Sequence, residues 1–219
     1  VHGSVLIQDG FVYACAGRSS YLDGGVRLVK LDLLTGQLKL EKNFYSRDPQ
    51  TGKTVELYPS FLAGTKDKLA KMEMPGVLPD VLSSDGQRLW MRAVTFDTQL
   101  GIKNEFPAHL FSSMGFLDDS WWELSYWIYG EHFYSGRSGI DRAKSLSPSA
   151  RIMVFDATRV YGYQDETFRK TGLVATNKGP LAQPGAGKKK KKGSDSRYHW
   201  QNDVPLYPHG LVLAGDTLF

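Results

Sequence analysis

The chain is poor in cysteine: Cys15 is the single one among 219 residues. That count excludes a disulfide framework, a paired-cysteine zinc site and a Cys-x-x-Cys-His haem attachment. Cys15 itself stands in an apolar run, where a thiol packs as a small hydrophobe. Long hydrophobic runs are also missing. No stretch approaches the ~20 apolar residues of a membrane-crossing helix, so no transmembrane segment is expected. A broad basic face is lacking too. The formal charge is +4, from 27 Lys+Arg against 23 Asp+Glu, but five of the lysines form one run, Lys188 to Lys192. Outside that run the acidic residues slightly outnumber the basic ones. A nucleic-acid binder spreads its Lys and Arg over a groove or helix, so no nucleic-acid partner is expected. The lysine run lies between Gly185-Ala186-Gly187 and Gly193-Ser194-Asp195 and reads as a solvated insertion. Gly-x-Gly-x-x-Gly, Walker and Gly-x-Ser-x-Gly motifs are absent from the sequence, and Ser19-Ser20 beside Asp23 is too local to form a Ser/His/Asp set.

What is present is a recurring turn. Asp9-Gly10-Phe11-Val12-Tyr13 is echoed by Asp85-Gly86-Gln87-Arg88-Leu89-Trp90 and by Gly215-Asp216-Thr217-Leu218-Phe219. Each is a tight polar turn followed by alternating apolar residues, and Asp-Gly between apolar runs is a strong hairpin signal. Val26 to Asp32 predicts a third strand, and Leu33-Leu34-Thr35-Gly36 a turn into Gln37 to Leu40. The first 40 residues thus predict one four-stranded unit. A second hairpin is expected from Asp80 to Ser84 and Arg88 to Val94, its second strand continuing to Phe96-Asp97. A third joins Ile152-Met153-Val154-Phe155 to Val160-Tyr161-Gly162-Tyr163 through Asp156-Ala157-Thr158, and Trp200 to Phe219 begins another.

Such serial hairpins predict an all-β fold, a β-propeller with about three to four four-stranded blades in this chain. A plain blade repeats every ~40–50 residues. The wider spacing here leaves inserted loops, expected over 43–74, 98–150 and 176–197. The first contains a second turn, Asp48-Pro49-Gln50-Thr51-Gly52, and a short helix expected around Lys66 to Lys71. An open propeller exposes sheet edges, so further blades are expected outside this chain.

Asp-Gly-x-Val-Tyr hairpins (Asp9 to Tyr13) and the strand end Leu31-Asp32-Leu33-Leu34-Thr35-Gly36 resemble the pyrroloquinoline-quinone-like propeller repeats. Ala16 to Gly25 and His109 to Trp122 look similar to large planctomycete-type propeller proteins. The resemblance implies a propeller, a periplasmic or extracellular location, and either a binding scaffold or a quinoprotein dehydrogenase using pyrroloquinoline quinone and calcium. Such a dehydrogenase also carries a vicinal disulfide over the quinone, which one cysteine does not supply.

Most candidate site residues fall in the stretch 98–150. Asp118-Asp119-Ser120-Trp121-Trp122 pairs two carboxylates with two aromatics. Asp118 and Asp119 offer oxygen ligands to Ca²⁺, while Trp121 and Trp122 offer stacking faces to a sugar or quinone ring. The same residues also suit a capped turn locked down by aromatic packing. Arg18 with Asp23 is either a receptor for an anionic group or an Arg–Asp pair that stiffens a Gly-rich loop. Arg137 is a further ligand-binding candidate. His109, with Glu131 and His132, is a candidate ligand residue whose spacing matches no metal pattern. The leading expectation is a non-catalytic scaffold that recognises a protein or glycan through inserted aromatic loops. The alternative is a quinone- and Ca²⁺-dependent oxidoreductase.

Overall fold

Period-two alternation sets the strands. In β3 (Val26–Asp32) the side chains of Val26 and Leu28 are buried while Arg27 between them is exposed, as a strand with one covered face requires. The computed structural model describes residues 5–17, 20–22, 24–55, 57, 81–92, 94–105, 107–112, 126–131, 147–165, 171–179 and 198–219. They form an all-β structure of successive antiparallel sheets with no helix among the described residues. None of them forms a helix long and apolar enough to cross a membrane.

The first sheet runs β1 (Val5–Gln8), β2 (Phe11–Ala16), β3, β4 (Leu38–Phe44), each strand paired with the next. The second has the same up-and-down order: β5 (Leu82–Ser84), β6 (Arg88–Met91), β7 (Val94–Asp97), β8 (Ile102–Lys103). The third is three-stranded, with β10 (Trp127–Gly130) between β9 (His109–Ser112) and β11 (Ser149–Ala150). The fourth returns to four strands, β12 (Ile152–Phe155), β13 (Arg159–Gln164), β14 (Gly172–Asn177) and β15 (Tyr198–Asn202). A two-stranded hairpin, β16 (Leu213–Ala214) and β17 (Thr217–Leu218), follows.

The repeated aspartates make two kinds of turn. Asp9 (φ 50°) and Gly10 (φ 77°) both take positive φ between paired Gln8 and Phe11, the type I′ geometry expected of Asp-Gly. At Asp85-Gly86 only the glycine does so; the Asp85 carboxylate instead accepts the amides of Gln87 and Arg88. Asp156 repeats this with Thr158 and Arg159. A side chain that satisfies two backbone amides mimics a turn, so one residue type serves both geometries. Asp32, Asp48 and Asp97 do the same at their own turns.

Two stretches depart from the sequence expectation. The strand expected from Arg88 through Asp97 is instead two, because the chain reverses between paired Met91 and Val94, with Arg92 at φ 53°. No Gly, Pro or Asp marks that reversal, so period-two counting ran straight through it. The stretch 98–150, expected as an insertion, supplies β8 and the whole third sheet. Its strands are short and lack an Asp-Gly turn, and in the third sheet the pairing partners lie far apart in sequence. In the 43–74 stretch, β4 extends to Phe44 and Asp48 makes the expected turn. The helix expected at Lys66 to Lys71 and the lysine run Lys188 to Lys192 lie outside the described residues.

Sheets pack face to face. Tyr13, Cys15, Val26, Leu28 and Phe44 of the first sheet share one core with Leu82, Leu89, Met91, Val94, Phe96 and Leu100 of the second. Phe44 and Phe96 meet at 4.9 Å between ring centroids. Cys15 is fully buried there, behaving as a hydrophobe.

Candidate functional site

The first hairpin turns of successive sheets are linked at their ends. Gln8, just before Asp9-Gly10, donates from Nε2 to the Gly86 carbonyl oxygen at 2.7 Å, and Ser84 Oγ donates to Gln8 Oε1. The Asp85 charge lies near enough to Tyr129 on β10 to raise the phenol pKa, secondary to the effect of burial. The Tyr129 ring in turn lies 5.2 Å from that of Phe155, the residue before Asp156. Lys178 closes the set. Its ammonium sits 4.4 Å from the centroid of Phe155 and 4.9 Å from that of Tyr129, and it donates to the Asp156 carbonyl at 2.9 Å. A cation over two ring faces is held by the ring quadrupoles without a carboxylate. Lys30 repeats the device between the first two sheets, 4.0 Å over Phe11 and donating to the Thr98 carbonyl.

These contacts make a rim in which turns from several sheets hold fixed relative positions. The carboxylates of Asp32, Asp85, Asp97 and Asp156 are committed to backbone amides and held in the ionised form. The Thr158 and Arg159 amides pull Asp156 down to about 2. Asp32 is lowered chiefly by the Thr35 amide and Asp97 by that of Gly101. Asp48, after β4 at the other end of the first sheet, is lowered in the same way by the Thr51 amide. Burial acts to raise Asp85, but the amides and guanidinium of Arg88 outweigh it, and Arg88 is raised in return. Such groups suit binding and turn-making; a general acid at neutral pH needs the opposite shift. Because their folded pKa values lie below the unfolded ones, their stabilisation is present above the ordinary carboxylate value and is lost as pH falls through the folded value, which for Asp156 is about 2. Carboxyl-detected NMR titration should place Asp156 near 2, and a midpoint at the ordinary value of 3.8 would contradict this assignment.

Of the residues singled out in the sequence, Arg18, Asp23, Asp118, Asp119, Trp121, Trp122, His132 and Arg137 lie outside the described residues. The Asp118 to Trp122 segment belongs to the connection between β9 and β10, whose ends are brought together by the pairing of Ser112 with Trp127. His109 is described, and it is buried on β9. Its ring stacks on Trp90 at 4.9 Å with 8° between planes, and Nδ1 lies 2.9 Å from the Pro107 carbonyl oxygen. Nε2 contacts the carbonyl oxygen of Arg92. Burial pushes its pKa below the usual histidine value. With both nitrogens facing backbone carbonyls, this imidazole presents neither to a ligand. Glu131 follows β10, separated from His109 by the Gly130 pairing. No group of three or more His, Cys, Asp or Glu placed to hold a metal occurs among the described residues.

Sequence reading missed Gln8, Ser84, Tyr129 and Lys178. Only Gln8 and Ser84 carried a signal, since each directly precedes an Asp-Gly pair. Fold and rim together define the chain as an all-β protein of serial up-and-down sheets whose hairpin turns are clasped from sheet to sheet. No protein-family model, curated protein or solved structure matches it.

Proposed function

We infer that the chain supplies consecutive blades of a β-propeller of the pyrroloquinoline-quinone-like repeat type, completed by further blades, and that this propeller is a binding scaffold. In this reading the loops between sheets, with Trp121 and Trp122 foremost, recognise a protein or glycan in the periplasm or outside the cell. One observation carries it: the first two junctions run from first strand to first strand. Gln8 at the end of β1 bonds the turn after β5, and Ser83 Oγ of β5 donates to the Leu110 carbonyl of β9 at 2.8 Å. Up-and-down sheets joined through their first strands suit radial repetition about a central axis.

Negative-stain images of the full-length protein should show a disc with a central channel; an elongated stack of sheets would overturn the propeller. Trp121→Ala/Trp122→Ala should abolish capture of glycans or secreted proteins with the melting temperature unchanged. Loss of folding with the same partners captured would sink the loop reading. Bound quinone absorbance with dye-linked dehydrogenase activity, after adding pyrroloquinoline quinone and Ca²⁺, would replace the scaffold by the quinoprotein oxidoreductase.

A further inference from the structure

His109 joins two sheets. It opens β9 of the third sheet, and its ring stacks on Trp90 of β6 and tilts against Phe111 of its own strand. Its two nitrogens face two backbone carbonyl oxygens. Nδ1 meets that of Pro107, just before β9, and Nε2 meets that of Arg92, in the turn between β6 and β7 of the second sheet. This turn lies at the opposite end of the second sheet from Asp85-Gly86. Arg92 takes φ 53° there, a left-handed conformation uncommon outside glycine, so the turn depends on its surroundings to hold it.

Donors and acceptors do not balance at this ring. A neutral imidazole carries one N–H, whereas two carbonyl oxygens lie against its nitrogens. One carbonyl is therefore bonded while the other faces a ring lone pair. An imidazolium donates to both, and the Trp90 face 4.9 Å away suits its charge. Burial works the other way, since a charge without a carboxylate beside it is costly to bury. The charged groups around the ring are engaged elsewhere. Arg88 pairs with Asp85 and Glu105, and Lys103 with Asp97. Thr95 links Trp90 to Glu105 through the Glu105 carbonyl, and Arg92 meets the ring through its own carbonyl. Glu131, next to the Gly130 that pairs with His109, is exposed. The proton thus goes on in the native state below the ordinary histidine value, burial outweighing the two carbonyls.

We propose that His109 is a proton-operated clasp between the second and third sheets: neutral, it bonds one carbonyl, and protonated, it bonds both and ties the Arg92 turn to the start of β9. A histidine is the side chain whose charge changes in this range, and the count of partners makes its two states unequal at the junction. The response is local to the native state. Overall stability still falls on acidification, because the unfolded chain binds the same proton more tightly. Within the folded protein, however, protonation favours the clasped turn over the open one.

NMR of the full chain, following the His109 ring nitrogens and the carbonyl carbons of Arg92 and Pro107 between about pH 7.5 and 4, tests this. At least one of the two carbonyl carbons should move with the His109 midpoint as it gains a donor. Exchange of the Val94 amide, across the turn from Met91, should slow about tenfold relative to its intrinsic rate as the proton goes on. His109→Gln keeps a donor but takes up no proton, so it should lose both responses. Carbonyl carbons that ignore the imidazole titration, or Val94 exchange unchanged across it, overturn the proposal. The same responses in His109→Gln overturn it too, because another group would then be titrating.

Discussion

Gly25→Ala and Gly172→Ala are each expected to destabilise the protein by about 3 kcal/mol or more, lowering the melting temperature by roughly 6–12 °C. The two glycines occupy one structural position. Gly25 directly precedes β3, beside the pairing of Val26 with Phe44. Gly172 opens β14, beside the pairing of Leu173 with Asn202. Gly25 takes φ 98° and Gly172 φ 131°, values an L side chain rarely adopts. A Cβ on Gly25 would also fall against the Phe44 carbonyl, and one on Gly172 against that of Asn202. Backbone cannot move aside as a flexible side chain does. Gly24→Ala separates the two costs, because Gly24 has φ 82° but open space around it. It should lose only the conformational part, about 1–2 kcal/mol. Urea melts that place Gly25→Ala level with Gly24→Ala would show that the close approach contributes nothing.

His109→Ala is expected to cost about 3 kcal/mol. It removes a buried ring from between Trp90 and Phe111, whose centroids lie 4.9 and 5.2 Å from it, and deprives the carbonyls of Pro107 and Arg92 of their contacts. His109→Phe should restore part of the packing and none of the polar contact, so it should fall between the two. The pH dependence separates a buried imidazole from a ligand. Burial holds the folded pKa below the ordinary 6.5, so the neutral form is favoured on folding. Its contribution is therefore complete above about pH 6.5 and shrinks as pH falls through the folded value. Stability of the native chain should decline on acidification across that window, and His109→Phe should lack this component. Equal slopes in the two proteins would rule out a depressed histidine.

The hairpins read from Asp9-Gly10, Asp85-Gly86, Asp156 and Gly215-Asp216 all join paired strands. They were legible because the signal is local, a turn residue flanked by alternating apolar positions. Gly25 and Gly172 were not read as equivalent, since what singles them out is a carbonyl on another strand. Trp200 was visible in the sequence as an aromatic that restarts a strand. Its position beside Tyr161 over Ala175 depended on pairings with β13 and β14. His109 shows the reverse case. As a sequence it is a candidate ligand, and its surroundings turn it into a packed ring.

The sequence by itself determined the local grammar of this protein: strands, aspartate turns, the apolar thiol and the all-β class. Those features depend on neighbours within a few residues, through φ/ψ preference and side-chain alternation. Tertiary structure alone decided the turn at Arg92, the third sheet within 98–150, the clasp of Gln8 on Gly86 and the cation over Tyr129 and Phe155. All but the turn at Arg92 join residues distant in the chain, and their stability comes from burial and from satisfying backbone polar groups across sheets. No short-range pattern encodes which distant partner will be there.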